Sequence, residues 1–328
     1  MNLFPQIPGI LVISTTLAFY HRWEFNDLPR MSLNLLGIKT IPFHTLPEDG
    51  FSPSVERCST LITPKTKAIA LVTPNNPVRS PTPSHEPSLT PLHLQTGTTY
   101  SQSLLASFAK LARERNVALI IDETYRDFIT TGPPHHLFSP SPNPSESWRT
   151  HFIHLFSFSK SYCIPGLRLG AIVASPVLLT QIKTVLDCLQ ICPPRPAQLA
   201  LAPLLPELRP FIRDMALALE QRHTLFRKLL PPRWRVGAQG GYFAFVKHPF
   251  TGVRAMDVCV RLAKEVGVIT LPAAFFCEDQ EDGRTTEDEG GWIRFSVANV
   301  DDEDVKKVCE RLRECESLFG WQLDLINQ

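Results

Sequence analysis

A group of reactive and charged side chains follows an apolar run at residues 152–159. Lys160 comes directly after that run, Ser157 and Ser159 lie within its end, and Arg168 stands between two glycines farther on. A lysine at the end of a buried strand is costly unless it is paired, neutral or covalently used. A desolvated lysine loses its proton more easily and becomes a nucleophile for carbonyl groups. The pattern therefore indicates either a reactive amine or, in the plainer interpretation, a solvated loop lysine.

Polar side chains also end two other apolar runs. Asn76 follows the run at 68–74, while Asp122 ends the run at 117–122 and Tyr125 follows it. Ligands of open α/β sheets bind outside the carboxyl ends of the strands. Each residue alone is more often a cap, a packing residue or a surface residue. Their occurrence at three strand ends predicts one shared pocket.

The chemistry of this set fits one cofactor. Lys160 could form a Schiff base, Asp122 could hold a protonated ring nitrogen, and Tyr125 could hydrogen-bond a phenolic oxygen. Arg168 and the serine hydroxyls could hold a phosphate. Pyridoxal 5'-phosphate needs these partners.

The elements that must position these residues alternate along the first part of the chain. Apolar runs at 68–74, 117–122, 152–159 and 169–175 predict strands, and residues 103–116 predict a helix with Leu104, Phe108 and Leu111 on one face. Strands that alternate with helices indicate a mostly parallel sheet covered on both faces. The fold class is therefore α/β, and residues 1–205 are expected to form a large cofactor-binding domain.

A different pattern follows Pro206. It predicts helices at 207–230 and 258–267, strands at 240–248 and 292–299, and a last helix that begins near the acids at 301–304. Its apolar stripe would consist of Val305, Val308, Cys309, Leu312 and Cys315. Residues 206–328 are therefore expected to form a smaller α+β domain.

Composition narrows the class of protein. The chain has 328 residues, 43% hydrophobic content and a net charge of +1, which argues against a nucleic-acid-binding surface. No apolar run approaches the length of a membrane span, and the N-terminus has no basic region of a signal peptide. The eight cysteines show no zinc-type spacing, so we expect reduced core thiols, no metal and a cytoplasmic location. His151 and His154 are expected as strand residues, whereas His135 and His136 lie in a proline-rich loop and carry no spacing signal.

Several motifs resemble those of class I/II aminotransferases of fold type I. The lysine segment Ser157-x-Ser159-Lys160-(x)5-Gly166-x-Arg168-x-Gly170 resembles the family's pyridoxal-phosphate lysine signature. The segments IIDETYRDF and TPNNP resemble its Asp-Glu-x-Tyr and Asn-Pro-Asn-Asn-Pro motifs. The segments GGYFAFV and WIRFSVAN resemble two motifs of its small domain.

This resemblance implies specific roles. Lys160 would carry the cofactor and shuttle the substrate proton, while Asp122 would pair with the pyridine nitrogen. Tyr125 and Asn76 would bind the cofactor's O3' oxygen. The phosphate would be bound by Ser157, Ser159 and Arg168. Arg294 would bind the substrate α-carboxylate.

The resemblance also implies a homodimer that acts on an amino acid and a 2-oxo acid, without a nucleic-acid or membrane partner. Two departures from the family accompany it. The family's N-terminal segment, with its phosphate-binding turn, has no visible counterpart, so the chain is expected to be N-terminally truncated. Residues Val78–Gln95 are expected to be an insertion rich in proline, serine and histidine.

Three functions stay open at this point. The first is an aminotransferase. The second is a C–S lyase or another pyridoxal-phosphate enzyme of the same fold, because the lysine and Arg294 would serve both. The third is a truncated paralogue with weak or no activity.

Overall fold

The structure is a computed structural model that describes residues 10–13, 33, 36–41, 52–74, 100–276 and 291–324. Asn76 and the expected insertion at 78–95 lie outside the described residues.

Five strands form the first sheet. They are β1 (Ile10–Ile13), β2 (Ala68–Val72), β3 (Ala118–Asp122), β4 (Phe152–Ser157) and β5 (Gly170–Val173), in the spatial order β1-β5-β4-β3-β2. Strands β2, β3 and β4 are parallel to one another, whereas β5 runs antiparallel to both β4 and β1. The predicted mostly parallel sheet is thus confirmed, with β5 as its one reversed strand among those described.

Helices cover both faces of this sheet. They are α1 (Val55–Leu61), α2 (Gln102–Glu114), the short α3 (Phe158–Ser161), α4 (Pro176–Leu189) and α5 (Arg195–Leu204). Helix α2 begins after Ser101, whose hydroxyl accepts a hydrogen bond from Leu104 N. The predicted face is confirmed, because Phe108 and Leu111 are buried in one core cluster and the partly buried Leu104 packs against it. On the other side of the sheet, α4 packs Leu178 and Ile182 against a core of β3, β4 and β5 residues.

Four antiparallel strands form the second sheet. They are β6 (Arg235–Gly240), β7 (Phe243–Lys247), β8 (Leu271–Pro272) and β9 (Trp292–Ser296), in the order β6-β7-β9-β8. The predicted single strand at 240–248 is wrong in one respect, because residue 240 ends β6 and β7 begins at Phe243. Gly241 forms the turn with a φ of 49°, a left-handed conformation that glycine adopts at little cost.

Three longer helices pack on the second sheet: α6 (Arg209–Leu229), α7 (Ala255–Glu265) and α8 (Asp302–Leu318). Helix α8 begins as its acids predict, since Asp301 accepts a hydrogen bond from Asp304 N at 2.8 Å. Its predicted stripe is buried except for Val308, which is partly buried.

The described residues also include five 3₁₀ turns, at Arg126–Phe128, Pro144–Glu146, Trp148–Thr150, Pro165–Leu167 and Ala273–Phe276. The first of them contributes to an aromatic cluster that joins the two sheets. That junction cluster has Tyr125 from the loop after β3 and Phe243 and Phe245 from the second sheet, with Phe128 and Tyr242 packed against it. The domain boundary at 205/206 stays a prediction.

The cysteine prediction was partly wrong. The described cysteines are all free, and four of them are buried, but three are exposed on the surface: Cys163, Cys188 and Cys192. Within the described parts of the chain, no helix is both long and apolar enough to cross a membrane.

Candidate active site

Lys160 lies where the first sheet meets the second. It is the third residue of α3, which follows β4 directly, and its side chain is partly buried. Burial lowers the pKa of the Lys160 amine, and the positive charges of Arg168 and Arg294 lower it further. The structure therefore gives Lys160 the environment of a reactive amine, as its sequence context predicts.

Asp122 ends the neighbouring strand β3, opposite Leu155 of β4. Its side chain is almost fully buried, and Oδ1 accepts hydrogen bonds from Thr124 N at 2.9 Å and Thr124 Oγ1 at 2.7 Å. Burial raises the pKa of this carboxyl, although the Thr124 hydrogen bonds oppose the rise. Oδ2 accepts no hydrogen bond from the described residues. It therefore offers an acceptor for a positively charged donor.

Tyr125 is close enough to both Asp122 and Arg294 for their charges to affect its hydroxyl. Its ring is 5% exposed and packs edge-on against Tyr242, with ring centroids 5.4 Å apart. Burial raises the pKa of its hydroxyl, the charge of Asp122 adds to the rise, and Arg294 opposes it. The hydroxyl thus stays protonated at neutral pH within the electrostatic range of both Asp122 and Arg294.

The predicted phosphate-binding residues surround α3. Ser157 caps this helix, and its Oγ accepts a hydrogen bond from Ser159 N at 3.2 Å. Arg168 is exposed and has a left-handed backbone, with a φ of 53°. One of its five N–H donors reaches Pro165 O at 2.9 Å.

Arg294 comes from β9 of the second sheet, where it pairs with Leu271 and Phe245. Its guanidinium carbon lies 4.3 Å from the centre of the Phe243 ring, a cation–π contact. Burial lowers the pKa of Arg294 to about 10, so the guanidinium remains charged at neutral pH. The two sheets therefore bring Arg294 close enough to Lys160 to affect its pKa.

Tyr242 was missed as a site residue by the sequence analysis. Its hydroxyl donates a hydrogen bond to the backbone oxygen of Lys160 at 3.0 Å, and the Lys160 amine lies 5.6 Å from its ring centre. The signal was present in the segment GGYFAFV, where a tyrosine follows two glycines. An apolar run does not reveal that those glycines make a turn.

A buried ionic cluster next to Asp122 was also missed. Glu123 is fully buried, and its Oε2 contacts Arg126, His135 at 3.1 Å and His154 at 2.7 Å. His154 lies in β4, so its prediction as a strand residue is confirmed, whereas His135 is a buried partner despite its proline-rich loop. The described residues contain no group of three or more His, Cys, Asp or Glu side chains that could hold a metal ion.

Comparison with known proteins assigns the family. The family model for aminotransferase class I and II matches residues 90–312. The chain belongs to this family. Among its curated relatives, it is 26% identical over 270 residues to aromatic-amino-acid aminotransferase 2 of Thermococcus litoralis, covering 81% of this chain and 61% of the relative. It is also 26% identical over 282 residues to an arginine–pyruvate transaminase of Pseudomonas aeruginosa, covering 85% of this chain and 63% of the relative.

The chain thus spans somewhat less than two thirds of the length of these curated relatives. Solved structures agree with the fold. The aromatic aminotransferase of Pyrococcus horikoshii superposes with a TM-score of 0.74 at 20% identity, covering 97% of this chain and 82% of that one. A Thermus thermophilus aspartate aminotransferase variant superposes with a TM-score of 0.72 at 23% identity, over 90% of this chain and 72% of the other. These likenesses confirm the fold type I architecture.

Class I and II aminotransferases use pyridoxal 5'-phosphate, and the residues present here fit that group. Lys160 has an amine of lowered pKa for the cofactor's aldehyde. The carboxylate of the largely buried Asp122 suits a protonated ring nitrogen, and the protonated Tyr125 hydroxyl suits a ring oxygen. Arg168 has guanidinium donors beyond the one that reaches Pro165, which suits a phosphate.

Proposed function

We propose that this protein is a pyridoxal-phosphate-dependent aminotransferase that moves an amino group between an amino acid and a 2-oxo acid. The observation that carries the proposal is the partly buried Lys160 amine, whose pKa is lowered by burial and by two arginines from separate elements. Asp122 ends β3, and the helix that carries Lys160 follows the adjacent parallel strand β4, which supports the same conclusion.

Bound pyridoxal 5'-phosphate supplies an electron sink that stabilises negative charge at the substrate's α-carbon. Lys160 would hold the cofactor, and its neutral amine would move a proton to and from the substrate's α-carbon. A lowered amine pKa favours both tasks, because only the neutral amine attacks a carbonyl or accepts a proton.

Asp122 pairs with the ring nitrogen and keeps it protonated. A carboxylate buried in this way is costly by itself, so a cation opposite Oδ2 offsets the cost of ionising it. Tyr125 and Asn76 orient the ring through its O3' oxygen. Ser157, Ser159 and Arg168 bind the phosphate.

Arg294 binds the α-carboxylate of the substrate. Its planar guanidinium can form two parallel hydrogen bonds with a carboxylate, which fixes the orientation of the amino acid. The contact with Phe243 restrains the guanidinium from one face. Arg294 and Lys160 thereby define a direction for the substrate, with its carboxylate toward the second sheet and its α-carbon toward the first.

We also propose that the protein is a homodimer in the cytoplasm. Helix α4 and the segment after it expose large apolar side chains, with Val177, Leu189 and Ile191 each more than three quarters exposed. Apolar surface of this kind is typical of an interaction face. The free thiols of the described cysteines agree with a reducing compartment.

The proposal is tested by adding pyridoxal 5'-phosphate to the purified protein and recording its visible absorption spectrum. Borohydride reduction should then fix the label on Lys160, as identified by mass spectrometry of the peptides. Lys160→Ala should lose the absorption band and the label. The control Lys183→Ala, which changes an exposed lysine of α4, should keep both. A label on another lysine in the wild-type protein would refute the assignment.

Substrate pairs then separate transamination from elimination. An aminotransferase turns over repeatedly only when a 2-oxo acid is present to accept the amino group. Release of pyruvate and ammonia without an acceptor would instead identify the C–S lyase.

A further inference from the structure

The backbone oxygen of Lys160 accepts two hydrogen bonds. One comes from Cys163 N at 3.2 Å within the same turn, and the other comes from the Tyr242 hydroxyl at 3.0 Å. Tyr242 belongs to the turn between β6 and β7, so this second bond joins the two sheets at the reactive lysine. Such a bond can hold the end of α3, which has only four residues and little stability of its own.

The ring of Tyr242 shapes the surroundings of the amine. It packs edge-on against Tyr125 and Phe128, with ring centroids 5.4 and 5.1 Å away. The Lys160 amine lies 5.6 Å from the ring centre. The ring therefore occupies space beside the amine that water would otherwise fill, and loss of water is the largest cause of the lowered pKa of Lys160.

The hydroxyl can act only as a donor in this contact, since a carbonyl oxygen has no proton to give. Burial raises the pKa of the Tyr242 hydroxyl to about 12. The hydroxyl thus remains protonated over the whole pH range in which an aminotransferase could work, and the bond to Lys160 persists.

The second sheet fixes Tyr242 independently of Lys160. Its backbone oxygen accepts hydrogen bonds from Val297 N at 2.8 Å and Ala298 N at 3.3 Å. The preceding Gly241 oxygen lies 2.9 Å from His223 Nε2. Burial lowers the pKa of His223 to about 4, so His223 is neutral at physiological pH and donates through Nε2. The turn is therefore a fixed support from which the hydroxyl reaches Lys160.

We propose that Tyr242 is a positioning residue for Lys160: its hydroxyl fixes the backbone that carries the lysine, and its ring shields the amine from water. This inference rests on the proposed function, in which Lys160 is the residue that binds the cofactor. It adds to that function a contact from the second sheet, so the lysine is held in place only when both sheets are together.

Two variants separate the contributions of hydroxyl and ring. Tyr242→Phe removes the hydrogen bond and keeps the ring, and Tyr242→Leu removes both. The matched control is Tyr162→Phe, which deletes the hydroxyl of another buried tyrosine, one that faces the charges of Arg209 and Asp127 instead. Far-ultraviolet circular dichroism verifies that each variant is folded.

The first readout is the rate at which pyridoxal 5'-phosphate and borohydride label Lys160. One lost hydrogen bond should slow labelling by roughly two- to tenfold in Tyr242→Phe. The second readout uses cofactor-free protein and follows reductive methylation of Lys160 with formaldehyde as a function of pH. The midpoint should be unchanged in Tyr242→Phe and should rise by roughly half to one pH unit in Tyr242→Leu, because water reaches the amine. Loss of the ring's attraction for a cation acts in the opposite direction, but 5.6 Å is near the outer limit of that effect.

The outcomes distinguish the two proposals. If wild-type protein is not labelled at Lys160 by pyridoxal 5'-phosphate, the proposed function fails, while the methylation experiment still tests Tyr242. If the wild type is labelled and both Tyr242 variants match it in rate and midpoint, the role of Tyr242 is overturned. The same holds if Tyr162→Phe slows labelling as much as Tyr242→Phe. Should Tyr242→Leu not fold, the rate for the nearly isosteric Tyr242→Phe decides the question.

Discussion

The buried cluster around Glu123 should be among the most sensitive parts of the first sheet. Burial opposes the ionisation of Glu123, but its contacts with the His135 and His154 rings outweigh that effect and hold the pKa of Glu123 well below its usual range. Changing Glu123 to Gln keeps the shape of the side chain but removes its charge. The amide also presents donors to partners that need an acceptor, so both histidines would lose their carboxylate.

The structure indicates the size of the loss. The side chains of Glu123 and His135 are fully buried and that of His154 is 8% exposed, whereas Arg126 is 28% exposed and can turn to water. Removing one partner from a buried ionic group destabilises a protein by about 3–5 kcal/mol. This corresponds to roughly two to four orders of magnitude in the equilibrium for opening the sheet.

Hydrogen exchange followed by mass spectrometry measures that opening locally. Peptides from β3 and β4 should exchange faster in Glu123→Gln by roughly two to four orders of magnitude, while peptides from β7 and β9 serve as an internal reference. The control Glu114→Gln changes an exposed acid whose oxygen lies 3.8 Å from Lys110, and it should leave every peptide unchanged. Exchange of β3 and β4 within threefold of wild type would refute the reasoning.

Three further variants test the site and its support. Asp122→Asn should keep the fold but lower turnover at least tenfold, since a charge-assisted hydrogen bond is worth roughly 1.5–3 kcal/mol; undiminished kcat would rule out the role. Arg294→Lys should raise KM for amino acids roughly tenfold or more and leave cofactor affinity nearly unchanged, because a lysine cannot form the bidentate contact. An equal loss of amino-acid affinity and cofactor affinity would contradict this role. The lowered pKa of buried His223, about 4 against 6.5, means that the unfolded chain takes up its proton first as pH falls. The free energy of unfolding should therefore hold about 3 kcal/mol from neutral His223 above pH 6.5 and lose it as the pH falls from 6.5 to 4. Urea midpoints against pH should fall less steeply for His223→Gln than for wild type, and parallel curves would count against this.

The parts of the fold that follow from local patterns could be predicted from the sequence. Strands β3 and β4 are continuous apolar runs, as expected for strands buried on both faces. The polar residues that end them, Asp122 and Lys160, therefore had a defined place at the carboxyl edge of the sheet. Helix α8 could be predicted equally well, because its N-terminal acids and apolar stripe lie within a single segment.

Contacts between distant segments could not be predicted in this way. Glu123 contacts His135 and His154, which lie in a proline-rich loop and a neighbouring strand, and no periodic signal connects the three. The β6–β7 turn was hidden because Gly241 and Tyr242 continue an apolar run, so the run alone resembles one strand. The proximity of Arg294 to Lys160 depended on family resemblance, since the two belong to different sheets.

The residues of the site come from distant parts of the sequence, and this has a consequence for synthesis on the ribosome. Arg168 follows Lys160 within a few residues, whereas Tyr242 and Arg294 are translated much later, the last of them more than a hundred residues on. At roughly 5–20 residues per second, that interval is on the order of ten seconds. For that time the nascent chain carries a lysine without the second-sheet residues that adjust its acidity and hold its backbone. An aldehyde that meets the unfinished chain thus encounters a lysine that has Arg168 nearby but lacks Arg294 and Tyr242, and the site is completed only when these late residues are added.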